Sequence, residues 1–185
     1  AAALDIGAIH IAGDVTAARV QLVAIGAYQA QEALAAHRRL TDRGLPCCVT
    51  LILEPGKFRA GRDPLERAFT ATDETLHTLF PVGLPRVLLT HTRPEPMTGI
   101  LRRIDGGPDQ MRALGYISRG GTLDVHGMLF ANHCTWAHAV DAAITVLKEL
   151  PSDLLSADER RAIEGSGNPS VLTHAKPIHR EETAL

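Results

Sequence analysis

Aromatic side chains are scarce in this 185-residue chain: one Trp, two Tyr and four Phe. An interior built on stacked rings is therefore excluded, and Ala, Val, Leu and Ile must fill the core. Cysteine is scarce as well. Three cysteines, with Cys47 and Cys48 adjacent, exclude a closed disulfide framework and fit reduced thiols in a cytoplasmic setting. No apolar run reaches the roughly 20 residues that a bilayer-crossing helix needs. Charge of one sign is missing too. A net charge of −2 and a pI near 6.5 argue against a dedicated nucleic-acid or membrane-surface binder. No basic, apolar leader opens the chain, so no secretion signal is expected. The start at Ala1-Ala2-Ala3, without Met, suggests a fragment, a processed subunit or an undefined terminus.

Several chemical signatures are missing as well. There is no GxGxxG and no P-loop, which leaves a nucleotide site without sequence support. There is no GxSxG elbow, which does the same for a hydrolase. Internal repeats and low-complexity tracts are also missing.

What is present is a strand-and-helix grammar, clearest from Arg19 to Arg43. Val20, Leu22, Val23, Ala24 and Ile25 form an apolar run suited to a strand covered on both faces. Gly26 permits a tight turn. Ala30, Ala33, Leu34, His37 and Leu40 then recur at helical spacing, and Gly44 ends the pattern. Cys48 to Leu53 reads as the next buried strand, and the unit as a parallel crossover. Earlier, Ile6 to Gly13 reads as an edge strand or lead-in segment.

Further along, Glu54-Pro55-Gly56 marks a strand's carboxyl end, where ligand-facing loops sit in open sheets. Lys57 to Thr70 reads as polar and irregular. Thr72 with Asp73 and Glu74 starts a helix that Pro81 ends. Arg86 to His91 is a strand, Met97 to Ile104 a short helix, and Ala113 to Ser118 a last strand. Asp124 caps a helix carrying Met128, Leu129 and Phe130. Thr135 to Leu150 carries an apolar stripe through Trp136, Val140, Ala143, Ile144 and Leu147. Ser156 and Glu159 form a capping-box pattern. Ser166 to Leu185 is expected to be an extended, partly mobile tail.

The expected fold is α/β, in three layers: a mostly parallel sheet of about five strands with helices on both faces. Residues 1–150 are read as the α/β domain, and 151–185 as a polar extension with one short helix.

The order of elements resembles the third, C-terminal domain of transketolase-like thiamine diphosphate enzymes. LVAIGAYQAQEALAAHRRLTDRGL, residues 22–45, is similar to that domain's opening strand, glycine and Ala-rich helix. RVLLTH, residues 86–91, resembles a later strand whose carboxyl end faces neighbouring domains. LGYISRGGTLDVHGMLF, residues 114–130, is similar to a glycine-containing loop before a short helix. The Trp136 helix matches the closing helix. The resemblance spans most of Arg19 to Leu150. The chain departs from the family at Glu54-Pro55-Gly56 and in the length after Pro151, which leaves the subfamily open.

The resemblance implies a domain that packs against its neighbours and shapes a homodimer, with no nucleic-acid or membrane partner. In that family Mg²⁺ and the cofactor's diphosphate are held by a Gly-Asp-Gly…Asn motif in the first domain. A Glu of the second activates the cofactor. This chain has no Gly-Asp-Gly. No cofactor, metal or catalytic residue is therefore expected on it, and thiamine diphosphate and Mg²⁺ belong to the full enzyme. A sugar-phosphate enzyme is favoured over the first component of a 2-oxo acid dehydrogenase. A free-standing small-ligand module and a structural oligomerisation domain are the alternatives from other classes.

The candidates for the mouth of the active site are His91, Thr92, Arg119, Gly120 and Thr122. His91 and Thr92 sit at a strand end, although a structural histidine is the commoner case. Ser118 to Thr122 could hold an anion, although a plain glycine turn is commoner. Cys134 and His138, four apart on a helix, with His126 and His133 nearby, lack the second pair a zinc site needs. Cys47 and Cys48 read as core packing. His37-Arg38-Arg39 reads as a solvated helix face.

Overall fold

The computed structural model of this chain describes residues 5–117, 123–148 and 153–173. Five strands form one sheet: β1 Ala8–Ala12, β2 Val20–Ile25, β3 Cys47–Ile52, β4 Arg86–Thr90 and β5 Met111–Leu114. Their order across the sheet is β1-β3-β2-β4-β5. β3, β2, β4 and β5 run parallel, and β1 is an antiparallel edge strand on β3. The helices are α1 Ala27–Asp42, α2 Pro64–Arg67, α3 Asp73–Leu79, α4 Pro94–Ile100, α5 Val125–Ala131, α6 Trp136–Leu147, α7 Ala157–Ile163 and α8 Ser170–Thr173. This is the expected three-layer α/β architecture.

β2 is the axis of the molecule because all six of its residues are buried. Such burial is the fate of a strand with parallel neighbours on both sides and helices above and below. Its odd and even residues divide the core. Val20, Leu22 and Ala24 face α1 and α6, with Ala33, Ala36, Leu40, Trp136, Val140 and Ala143. Val23 and Ile25 face the other layer, with Leu76 and Leu79 of α3, Met97 of α4, Phe58 and Phe80. The connection from β2 to β3 runs through α1 on the first face. The connection from β3 to β4 crosses to the opposite side of β2 through α3 on the second. The sheet therefore changes direction between β2 and β4, and a crevice opens there at their carboxyl ends.

Helix boundaries follow local chemistry. Thr72, Asp124 and Ser156 each cap a helix with a side-chain oxygen, and Ser156 with Glu159 forms the complete capping box. α1 has no such side chain; it starts at Gly26, whose φ of +110° only glycine adopts freely.

Several expectations change. The last strand begins at Met111, earlier than Ala113, and stops before Gly115. A Cβ at Gly115 would lie 2.4 Å from the Thr92 carbonyl oxygen, so the chain leaves the sheet here by close backbone contact. Glu54-Pro55-Gly56 forms a local turn. It opens a 3₁₀ turn, Pro55–Phe58, that drives Phe58 into the core edge-to-face against Phe80 at 5.3 Å. The segment after Ser166 is not extended throughout. α8 buries Leu172, whose carbonyl accepts a 2.9 Å hydrogen bond from the Trp136 indole. α6 is consequently buried on nearly all sides and not on one stripe.

Arg39 is not a solvated residue either. It makes paired hydrogen bonds to Glu159 at 2.7 and 2.8 Å, one to the Leu154 carbonyl, and lies 4.5 Å over the Trp136 ring. This paired, partly buried contact ties α7 to α1 and α6. Burial alone would raise the Glu159 pKa; the hydrogen bonds from Arg39 and the Ser156 backbone bring it below the ordinary value.

A buried polar network fills the second face near the amino-terminal ends of β2 and β4. The Gln21 amide donates to Thr50 Oγ1 and to the Leu79 carbonyl, both at 2.7 Å. Its oxygen accepts from Arg86 Nε at 3.0 Å. The guanidinium also donates to the Ile104 and Pro81 carbonyls. His10 completes the set with Nδ1 2.8 Å from Thr50 Oγ1. Burial lowers the Arg86 pKa to about 10, which leaves it charged at neutral pH.

Candidate functional site

At the carboxyl ends of β2 and β4 lies a cavity of about 280 Å³. It is built from four places in the sequence. β2 ends at Ile25, and Gly26 turns the chain so that Tyr28 and Gln29, in the first turn of α1, face the opening. β4 delivers Thr90 and His91, and the chain leaving β5 delivers Tyr116. α5 closes the far side with Val125, Met128 and Leu129, and the turn into α6 adds Asn132 and Cys134.

Gly26 explains how these parts come so close. A Cβ there would lie 2.6 Å from Gln29 Oε1 and 3.2 Å from His91 Nδ1. The glycine thus lets a strand end, a helix start and a neighbouring strand's histidine share one corner. His91 Nδ1 lies 3.1 Å from the Ile25 carbonyl. A carbonyl can only accept, so this bond places a proton on Nδ1 and leaves Nε2 outside it.

Thr92 acts from behind. Its amide donates to Thr90 Oγ1 at 3.2 Å, and its carbonyl accepts from the Tyr116 amide at 2.9 Å. Asn132 is engaged at both ends of its amide: Oδ1 accepts from the Ile117 amide at 2.8 Å, and Nδ2 donates to the Met128 carbonyl at 2.9 Å. These bonds fix the loop after β5 against α5. Gln29 differs. It is 7% exposed, and its amide has no hydrogen-bond partner among the described residues.

Beside the cavity, Cys134, His133 and His138 form a packed corner. The His133 and His138 rings stack at 5.0 Å, and His138 Nδ1 lies 2.7 Å from Thr135 Oγ1. Burial, reinforced by His133, lowers the His138 pKa to about 4. Burial pushes the Cys134 thiol up to about 12, with the Glu32 carboxylate adding to it. Glu32 itself accepts a 2.6 Å hydrogen bond from the Trp136 amide at the start of α6. Among the described residues no three His, Cys, Asp or Glu side chains converge as metal ligands would. Cys47 and Cys48 are buried free thiols, pushed by burial to about 12 and about 11.

Of the sequence-derived mouth residues, His91 lines the cavity and Thr92 supports it. Arg119, Gly120 and Thr122 lie outside the described residues. Gln29, Tyr28, Tyr116 and Asn132 were not foreseen. One signal pointed to them: the strand-end rule that singled out His91 applies equally to the residues after β2. The chain has only two tyrosines, and both line this cavity.

A magnesium-bound diphosphate needs oxygen ligands with carboxylates among them. The cavity lining has none among the described residues, so these side chains do not fit that group.

No protein-family model matches the sequence, and no curated protein matches it. Solved structures do. Transketolase from Leishmania mexicana superposes with a TM-score of 0.58 at 17% identity, over 84% of this chain and 20% of that one. Transketolase from Campylobacter jejuni gives 0.55 at 13% identity, over 76% of this chain and 19% of that one. The Pichia stipitis enzyme in complex with sedoheptulose 7-phosphate gives 0.53 at 19% identity, over 82% and 20%. The chain therefore has the fold of one part of these enzymes and spans about a fifth of their length.

Proposed function

We propose that this chain is the C-terminal domain, or its separate equivalent, of a transketolase-like thiamine diphosphate enzyme acting on ketose sugar phosphates. In this reading it is a cytoplasmic packing domain, inactive alone, that completes a homodimer with the other domains. Thiamine diphosphate and Mg²⁺ are held elsewhere in the full enzyme. The single observation that carries the reading is the shared fold over 84% of the chain, matched to only 20% of a transketolase.

One feature supports it. The carboxyl edge of the sheet exposes several large apolar side chains: Tyr28, Tyr116, Leu123 and Val125 are 52, 41, 47 and 38% exposed. Exposed apolar surface of this kind marks contact faces, and Leu65, Phe69 and Val82 extend it away from this edge. The mouth residues His91 and Thr92 stand on that edge and are proposed to face the neighbouring domain.

The test is calorimetric titration of the purified chain with thiamine diphosphate and Mg²⁺. The expected result is no saturable heat. Micromolar binding, or turnover of a ketose phosphate by the chain alone, would overturn the reading.

A further inference from the structure

Gln29, inside the cavity, has no part in the packing role. Gln29 is 93% buried by the complement of its 7% exposure, yet no described residue satisfies its amide. Its amide atoms remain accessible from the cavity, free to bond to whatever enters it. Gln21 shows that this fold can saturate a buried amide completely. Gln29 instead lines an open cavity at the first turn of a 16-residue helix. That position is the crevice where open α/β sheets take their ligands.

The lining defines the occupant. It has apolar walls in Leu123, Met128 and Leu129, and two tyrosines at the mouth. No Asp, Glu, Lys or Arg lines it among the described residues. A volume of about 280 Å³ suits one ring system. The Gln29 amide presents a donor and an acceptor side by side, the pattern that pairs with the edge of a base. Aromatic faces add sequence-tolerant stacking to any planar ring. His91 Nε2 supplies a further polar contact at the rim.

We propose that the cavity at the carboxyl ends of β2 and β4 binds a planar heteroaromatic ring of the nucleobase class, read by the Gln29 amide and packed against Tyr28 and Tyr116. All of these residues belong to this chain; Tyr28, Tyr116, Leu123 and Val125 are shared with the face of the packing role proposed above, so the site is tested on the chain alone.

The experiment uses the full chain with adenine as the probe. Benzoate serves as a charged ring of similar size, and cyclohexanol as a saturated one. Ligand-observed NMR titration is expected to show saturable adenine binding, at least tenfold tighter than either control. Gln29→Leu is expected to weaken adenine at least tenfold while leaving the thermal midpoint within about 2 °C of the parent, since no internal bond is lost. Tyr28→Ala, at an exposed position, gives an independent loss of at least threefold should the first variant fail to fold. Absence of saturable adenine binding overturns the proposal. Equal binding of either control, or adenine affinity unchanged by both variants, overturns it too. Thiamine diphosphate does not enter the experiment, so its outcome is separate from that of the packing role.

Discussion

Two glutamines lie along the central strand's path, one near its start and one just past its end, and both are buried. Gln21 spends every hydrogen-bonding group on the protein: Thr50, the Leu79 carbonyl and Arg86. Gln29 spends none on the described residues and faces a cavity. The difference separates two ends of one sheet. The amino-terminal end is closed, and its polar groups specify how α3, β3 and β4 meet. The carboxyl-terminal end is held open by Gly26, Thr92 and Asn132, with its polar capacity unspent. The closed end leaves His10 Nε2 and Gln110 Oε1 buried without a partner, and the open end keeps the Gln29 amide facing the cavity.

Removing Arg86 should break the closed end most severely. Arg86→Met leaves Gln21 Oε1 and the Pro81 and Ile104 carbonyls without their donor. The expected loss is about 3–4 kcal/mol in urea unfolding, consistent with orphaned buried acceptors. The double variant Arg86→Met with Gln21→Leu should lose less than the sum of the two single losses, because the groups share one network. Strict additivity would show that they do not act as a unit.

Acid should act next, through the histidine corner beside the open end. His138 has a folded pKa near 4, below its unfolded value of 6.5. The unfolded chain therefore binds the extra proton between those values. Stability is fully present above about pH 6.5 and is lost as pH falls toward 4, by on the order of 3 kcal/mol. His10 and His37, also lowered by burial, act with the same sign. His138→Gln should flatten part of this dependence in denaturation curves taken at pH 7 and pH 5. An unchanged slope would mean that the corner admits water.

Gly26→Ala should be the next largest effect, at about 2 kcal/mol. The residue must keep a positive φ, and its Cβ would press on Gln29 Oε1. Shortening Gln29 in the same chain should relieve the contact but not the backbone cost. The smallest effect is expected from Gln29→Leu, within about 0.5 kcal/mol of the parent, because the amide bonds to no described residue and Leu is close to it in size. Gln21→Leu should cost several times more. Equal costs at the two positions would erase the contrast between the two ends.

The sequence made the frame readable wherever the deciding interaction is local. The apolar run of β2, the glycine after it and the stripe of α1 are set by neighbours within a turn or two. The caps at Thr72, Asp124 and Ser156 are equally local. What escaped is nonlocal. Arg39 looks like a surface charge until Glu159 and Trp136 reach it from distant positions. Leu172 looks like part of a polar tail until the Trp136 indole binds its carbonyl. Phe58 lies in a polar stretch and is fully buried. The candidate site was half legible. His91 follows from strand ends facing ligands, but a glutamine on a helix gives no sign of being buried. Its isolation depends on what the remainder of the fold fails to offer it.

The contrast between the glutamines can be read in one spectrum. Adenine titrated into uniformly ¹⁵N-labelled chain should shift the Gln29 side-chain amide signals saturably, with those of Gln21 unmoved. Gln29 signals that stay fixed while adenine reaches saturating excess, or that shift together with those of Gln21, would contradict the assignment of the open end to ligand binding.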